Sequence, residues 1–327
     1  MTPEQRELSR IREVEAAELN KCCLPDAVYK INEEFIKDNI PHISENDIRF
    51  RLQIVGDWGL EGSKLSENLF NTFFPKANLD FYSHYRSLEG FEKIVKGKKL
   101  RFYSLVKHFG QEFQQFYVDH NMDGYFNKIY LPSGKPYIEY LMSEIFTLCL
   151  SGDKDKETIN YCWSSFGNQG KGVKLIFEIN SRTTDFRKIL YRKKKTGAIN
   201  SIKNLNTFFI KNFNRFFLFS QTSKFGAFYI NNSMTLEDEY RFLIKKQTDN
   251  YGFASEIQID NDLTAQYGKE ISYIEENFIN PYGEFKLKKV QPGPYCDIKE
   301  VRRILNEGGF NDVEVLEQYL ESEFESK

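Results

Sequence analysis

Phe81-Tyr82-Ser83-His84-Tyr85-Arg86-Ser87-Leu88-Glu89-Gly90-Phe91-Glu92-Lys93-Ile94-Val95-Lys96-Gly97-Lys98-Lys99-Leu100-Arg101-Phe102-Tyr103-Ser104 reads as strand, helix, strand. The first strand is expected over Asp80–Arg86. A helix follows over Leu88–Lys96 and ends at Gly97, and the second strand is Leu100–Ser104. Similar short blocks recur downstream. Phe146–Leu150 reads as a strand, Asn160–Phe166 as a short helix, and Val173–Ile179 as a strand after the turn Gly167-Asn168-Gln169-Gly170-Lys171-Gly172. Ile189-Leu190-Tyr191, Tyr240–Lys245 and Phe285–Val290 read as further strands. Helices are expected at Ala198–Ser220, near Ile271–Phe278 and at Ile298–Glu307, with an aromatic loop over Phe109–Tyr130. Short strands in mixed order with helices between them predict an α+β fold: a mixed, mostly antiparallel sheet core with flanking helices.

Working outward, residues 1–77 contain periodic apolar positions (Leu8, Ile11, Val14; Val28, Ile31, Phe35) but no clustered chemistry. They read as a helical N-terminal extension that serves for docking or for homo-oligomer assembly. Residues 78–327 form the α+β domain, with a helical insert near 198–220 whose phenylalanines recur every three or four residues.

The 327 residues carry a net charge of −2, with 40% hydrophobic and 28% charged, which excludes wholesale disorder. That balance also argues against bulk electrostatic capture of nucleic acid or an anionic membrane surface. The run Arg192-Lys193-Lys194-Lys195 is a local exception, read as a solvated loop or as a phosphate or RNA contact. Thirty Phe and 19 Tyr fill a core or offer flat stacking surfaces. Five scattered cysteines without a Cys-x-x-Cys suggest reduced thiols. No apolar run reaches the roughly 18 residues of a membrane span, and no apolar signal region opens the chain, so a cytoplasmic location is expected. His108 and His120 are spaced too far apart for a helical ligand pair, and no metal site is expected.

Taken in order, the blocks His84-Tyr85-Arg86-Ser87-Leu88-Glu89-Gly90, Lys99–Ser104, Cys149-Leu150-Ser151, Trp163-Ser164-Ser165-Phe166-Gly167, Gly170-Lys171-Gly172-Val173, Ile176-Phe177-Glu178, Glu237-Asp238-Glu239-Tyr240-Arg241 and Gly293-Pro294 are distinctive. Through them, Phe81 to about Leu320 resembles the bacterial domain-of-unknown-function family 2971. One departure is plain: the family's Asn-Asp-Pro-x-Glu turn is replaced by Lys107-His108-Phe109-Gly110-Gln111-Glu112, which keeps only the glutamate.

The set His84, Tyr103 and Glu239 resembles the histidine–tyrosine–glutamate pattern of ADP-ribosyltransferase folds. That resemblance implies NAD as substrate and transfer of ADP-ribose to a protein or nucleic-acid acceptor, or NAD glycohydrolysis. His84 would orient the ribose and Tyr103 would stack on nicotinamide. Glu239 would stabilise the oxocarbenium charge, with Glu237 as a second carboxylate on the same side of an extended segment. Tyr85, Arg86, Ser87, Trp163, Ser164 and Arg241 complete the expected NAD-binding surface, Arg86 or Arg241 meeting the pyrophosphate. The opposing reading keeps Glu239 and Arg241 as a strand-end ion pair. It makes the chain a non-catalytic module that binds a ligand or partner in a bacterial stress or phage-defence system.

Overall fold

The computed structural model describes residues 3–52, 58–106, 110–126, 129–131, 134–191, 199–230, 232–246 and 255–320. Arg192–Lys195, Lys107-His108-Phe109 and Pro132-Ser133 lie outside them. The protein is α+β and divides into two compact units. Among the described residues no helix is long and apolar enough to cross a membrane.

The first unit comprises Met1–Pro75, Gly110–Leu141 and Arg192–Ile230. Two later segments thus join the residues expected to stand alone at the N-terminus. Helices Pro3–Cys22, Leu24–Lys37 and Ser63–Phe73 form here, and Pro75 follows the last of them; Val28, Ile31 and Phe35 are buried as their spacing predicts, whereas Leu8, Ile11 and Val14 are exposed. A hairpin pairs Arg49–Leu52 with Trp58–Glu61, so the unit is not purely helical. The stretch expected to be an aromatic loop forms helix Gly110–Asp119, because Phe113, Phe116, Tyr117 and His120 recur at helical spacing and are all buried. The insert helix runs only over Asn200–Phe213. It stops where Asn214 takes a left-handed conformation (φ 52°) and its N–H caps Ile210 O.

His120 is a core residue of this unit. Its Nδ1 faces Phe116 O, and its Nε2 accepts from Ile199 N at 2.8 Å. Burial lowers its pKa from 6.5 to about 4. The folded state therefore favours neutral imidazole. The associated stability is complete above pH 6.5 and drains away as pH falls towards 4, by an amount on the order of 3 kcal/mol. Urea unfolding followed across that window is expected to lose this slope in His120→Gln. An unchanged slope would exclude His120 as its source.

The second unit comprises Lys76–Phe109, Met142–Tyr191 and Asn231–Lys327. Its sheet contains 11 strands among the described residues, antiparallel except where Glu314–Val315 joins Gly283–Pro292. Strand Ile145–Ser151 is central. One edge pairs along its whole length with Glu239–Lys245, from Glu239↔Ser151 to Lys245↔Ile145. The other edge is forked. Lys99–Ser104 pairs with it at Tyr103↔Thr147 and Ser104↔Phe146, whereas Tyr82–Arg86 pairs only at Ser83↔Ser151. On their far edges the two strands pair with different neighbours. Tyr82–Arg86 pairs with Val173–Ser181, and Lys99–Tyr103 with Ser272–Asn277. Leu148, Cys149 and Leu150 face the gap without a strand partner on that edge among the described residues.

Ser272–Asn277 was expected to lie in a helix and is a strand. Tyr273 and Ile274 suit a pleated surface, and Lys99–Tyr103 supplies the partner ladder that overrides local propensity. The core beneath the sheet holds Phe102, Phe146, Leu148, Leu175, Phe242 and Phe285, covered by helices Leu88–Gly97 and Ile298–Glu307.

Candidate functional site

The fork opens into a cavity of about 330 Å³, at the small end of the roughly 300–1,000 Å³ usual for ligand sites. His84 and Arg86 enter from one prong, and Arg101 and Tyr103 from the other. Cys149 lies on the floor, with Tyr161, Glu237 and Glu239 on the wall. The histidine, tyrosine and glutamate expected to converge thus line one space, though they come from three strands.

His84 bridges the gap. Its Nδ1 lies 3.0 Å from Cys149 O, and its Nε2 accepts from Arg86 Nε at 2.7 Å. A guanidinium N–H can only donate, so the geometry selects the tautomer with the proton on Nδ1. His84 therefore orients a neighbour instead of offering a free base. Arg86 is partly buried, and burial lowers its pKa from the usual value. Among the described residues no carboxylate pairs with it, whereas Arg101 bonds Glu275 at 3.0 Å and approaches Asp260 at 3.7 Å.

Tyr103 donates to Asp260 Oδ2 at 3.0 Å and packs against Tyr273, with ring centroids 5.6 Å apart. Burial raises its pKa. Asp260 also caps helix Asn261–Tyr267 by accepting from Leu263 N. The ring is thus held by Asp260 at its hydroxyl and by Tyr273 beside it.

Glu239 is 2% exposed and forms a fork-to-fork pair with Arg241: Nε to Oε1 at 2.7 Å, and the second nitrogen to Oε2 at 3.1 Å. Residues two apart on a strand share a face, and this pair uses that spacing. Burial, then the Glu239 charge, pushes the Cys149 thiol well above its ordinary pKa, so thiolate chemistry is disfavoured there.

Glu237 is less buried and meets Tyr161 OH at 3.4 Å. It does not share an extended segment with Glu239 as expected. Glu237 ends a 3₁₀ turn, and Asp238 between them is left-handed (φ 42°). The turn is held because Ser151 Oγ donates to Glu237 O, Gly152 N donates to Asp238 O, and Asp238 pairs with Lys188 at 2.9 Å.

Several expected binding residues do other work. Ser87 caps helix Leu88–Gly97 by accepting from Gly90 N, and does not line the cavity. Trp163 is fully buried, edge-on to Tyr85 at 5.1 Å and beside Tyr319, because helix Lys156–Ser165 turns that face inward. Ser164 is also off the cavity, and Arg241 sits behind Glu239. Tyr85 lines the cavity, but its hydroxyl is taken by Asp153 at 2.8 Å, in a cluster with Ser83 and Lys174.

Arg101, Thr147, Cys149, Ser151 and Tyr161 line the site without having been singled out for it. They lay inside or beside the recognised blocks, but only the strand register brings them together. Comparison with protein-family models, curated proteins and solved structures found no match to this chain.

Proposed function

We propose that the forked cavity binds an NAD-like ligand and that the protein cleaves its nicotinamide–ribose bond, passing ADP-ribose to an acceptor or to water. The observation that carries this reading is the convergence of His84, Tyr103 and Glu239, from three separate strands, on one cavity. On this reading the α+β fold is ADP-ribosyltransferase-like, and the chain from Phe81 to about Leu320 groups with family 2971. Tyr103 and Tyr161 offer ring faces to nicotinamide. As the glycosidic bond breaks, its electron pair leaves with nicotinamide and positive charge develops on the ribose. Carboxylates on the cavity wall stabilise that charge.

Glu239 supplies a buried negative charge that Arg241 already balances, so Glu237, the more accessible carboxylate, is assigned the ribose. The test is nicotinamide release and label transfer from labelled NAD, by wild type and by Glu237→Gln, with a bacterial lysate as acceptor source. Turnover in wild type that falls roughly 10²- to 10³-fold in the variant is expected. Glu237 suits this test better than Glu239, whose loss would orphan Arg241 and confuse activity with folding. No NAD binding by wild type would sink the reading.

The Glu239–Arg241 pair favours a second reading, in which the same cavity binds its ligand without turning it over, as a sensor or partner-binding module would. NAD binding without nicotinamide release, with and without lysate, would favour that alternative.

A further inference from the structure

The cations around the cavity are unequal. Arg101 is shared between Glu275 and Asp260, Arg241 is committed to Glu239, and Lys174 reaches Asp153. Arg86 has no carboxylate partner among the described residues. Among the described residues its side-chain hydrogen bond is the one from Nε to His84 Nε2. The ring that accepts this bond is itself anchored on Cys149 O, at the unpaired edge of the central strand. A chain of contacts from backbone carbonyl to imidazole to guanidinium therefore fixes the orientation of Arg86. Its two terminal nitrogens, which carry four N–H donors in one plane, remain for something else.

A partly desolvated guanidinium is costly to leave uncompensated. A polar site with a fixed planar fork matches the oxygens of a phosphoryl group. From this geometry we infer that Arg86 is the anchor of an anion subsite for a phosphate or diphosphate group, and that His84 is its positioning residue. The inference deepens the reading of the cavity as a nucleotide site, but does not depend on any turnover there. It also assigns His84 a different task from ribose contact: it holds the fork that grips the anion.

Calorimetric titration of the full chain with inorganic diphosphate, and separately with ADP, tests it. Wild type is expected to bind both, and Arg86→Gln to bind roughly 10- to 100-fold more weakly. Because Arg86→Gln orphans no carboxylate, its melting temperature should match or exceed that of wild type, which separates lost binding from lost fold. Glutamine at 84 can place an acceptor oxygen near the position of Nε2, whereas asparagine is too short. His84→Gln should therefore retain affinity within about threefold while His84→Asn loses about tenfold or more.

Absence of diphosphate and ADP binding by wild type would overturn the inference, as would equal affinity in folded Arg86→Gln. Equal affinities in the two His84 variants would overturn the positioning role. Failure of the cleavage reading looks different: diphosphate binding lost in Arg86→Gln, with no nicotinamide released from NAD, supports the anion subsite alone. NAD turnover without any diphosphate or ADP binding would do the reverse.

Discussion

Replacing Arg241 with Met is expected to lower unfolding stability by about 3–5 kcal/mol, the usual cost of leaving one member of a buried ion pair alone. Arg241 is fully buried and Glu239 nearly so. Both oxygens of the carboxylate accept from the guanidinium. Removing the cation leaves a carboxylate in the sheet with the Cys149 thiol beside it and little water to solvate it. The double variant Glu239→Leu, Arg241→Met should regain much of the loss, since an apolar pair of similar volume avoids desolvating either charge. Urea midpoints at constant slope give both values. A loss below about 1 kcal/mol for Arg241→Met would mean that the pair behaves as a solvated surface bridge. Glu239 would then be free to meet a ligand hydroxyl, and the assignment of the ribose to Glu237 would need to be reversed.

The second large effect is steric. A Cβ added at Gly172 would lie 2.1 Å from Arg86 O and 2.9 Å from Gly167 O, both backbone atoms that cannot rotate away. Gly172 N also donates to Gly167 O, and Gly172 O accepts from Gly293 N at 3.0 Å, so the turn cannot slide. A Cβ on Gly170 (φ 79°) would meet Pro294 Cγ at 2.8 Å, and Gly170 O accepts from Tyr295 N. Gly172→Ala is expected to cost at least about 3 kcal/mol, at the upper end for overpacking. It should also weaken ligand binding, because the residue pushed is Arg86. Gly97→Ala is the control: nothing lies within 4 Å of its would-be Cβ, and its stability should stay within about 0.5 kcal/mol of wild type. Equal stabilities for the two alanine variants would refute the packing argument.

Much of this turn was open to sequence reading as punctuation, but its reason was not. Gly172 and Gly293 are 121 residues apart in the chain, and only the antiparallel register of Val173–Ser181 with Gly283–Pro292 brings Gly170-Lys171-Gly172 and Gly293-Pro294 into contact. The same limit explains the other differences. Local pattern located the strands bearing His84, Tyr103 and Glu239, because each is a short run rich in aromatic or β-branched residues. It could not foresee the fork, which depends on where each prong meets the central strand. Ser272–Asn277 carries two consecutive glutamates after Tyr-Ile and reads locally as a helix; pairing with Lys99–Tyr103 makes it a strand. Gly110–Asp119 was hidden differently: aromatics crowd the whole region, so the helical spacing of Phe113, Phe116 and Tyr117, all buried, did not stand out. The spacing of Glu239 and Arg241 did make an ion pair legible, but not how deeply the sheet would bury it.

The unfilled ladder at Leu148–Leu150 has a thermodynamic side. Apart from the His84 contact to Cys149 O, a neighbouring strand there would add hydrogen bonds worth roughly 1 kcal/mol each, which no strand among the described residues supplies. Selection for robustness alone would zip the two prongs shut along the central strand. A variant that did so should tolerate more heat and bind nothing, so the opening marks where this protein exchanges endurance for access.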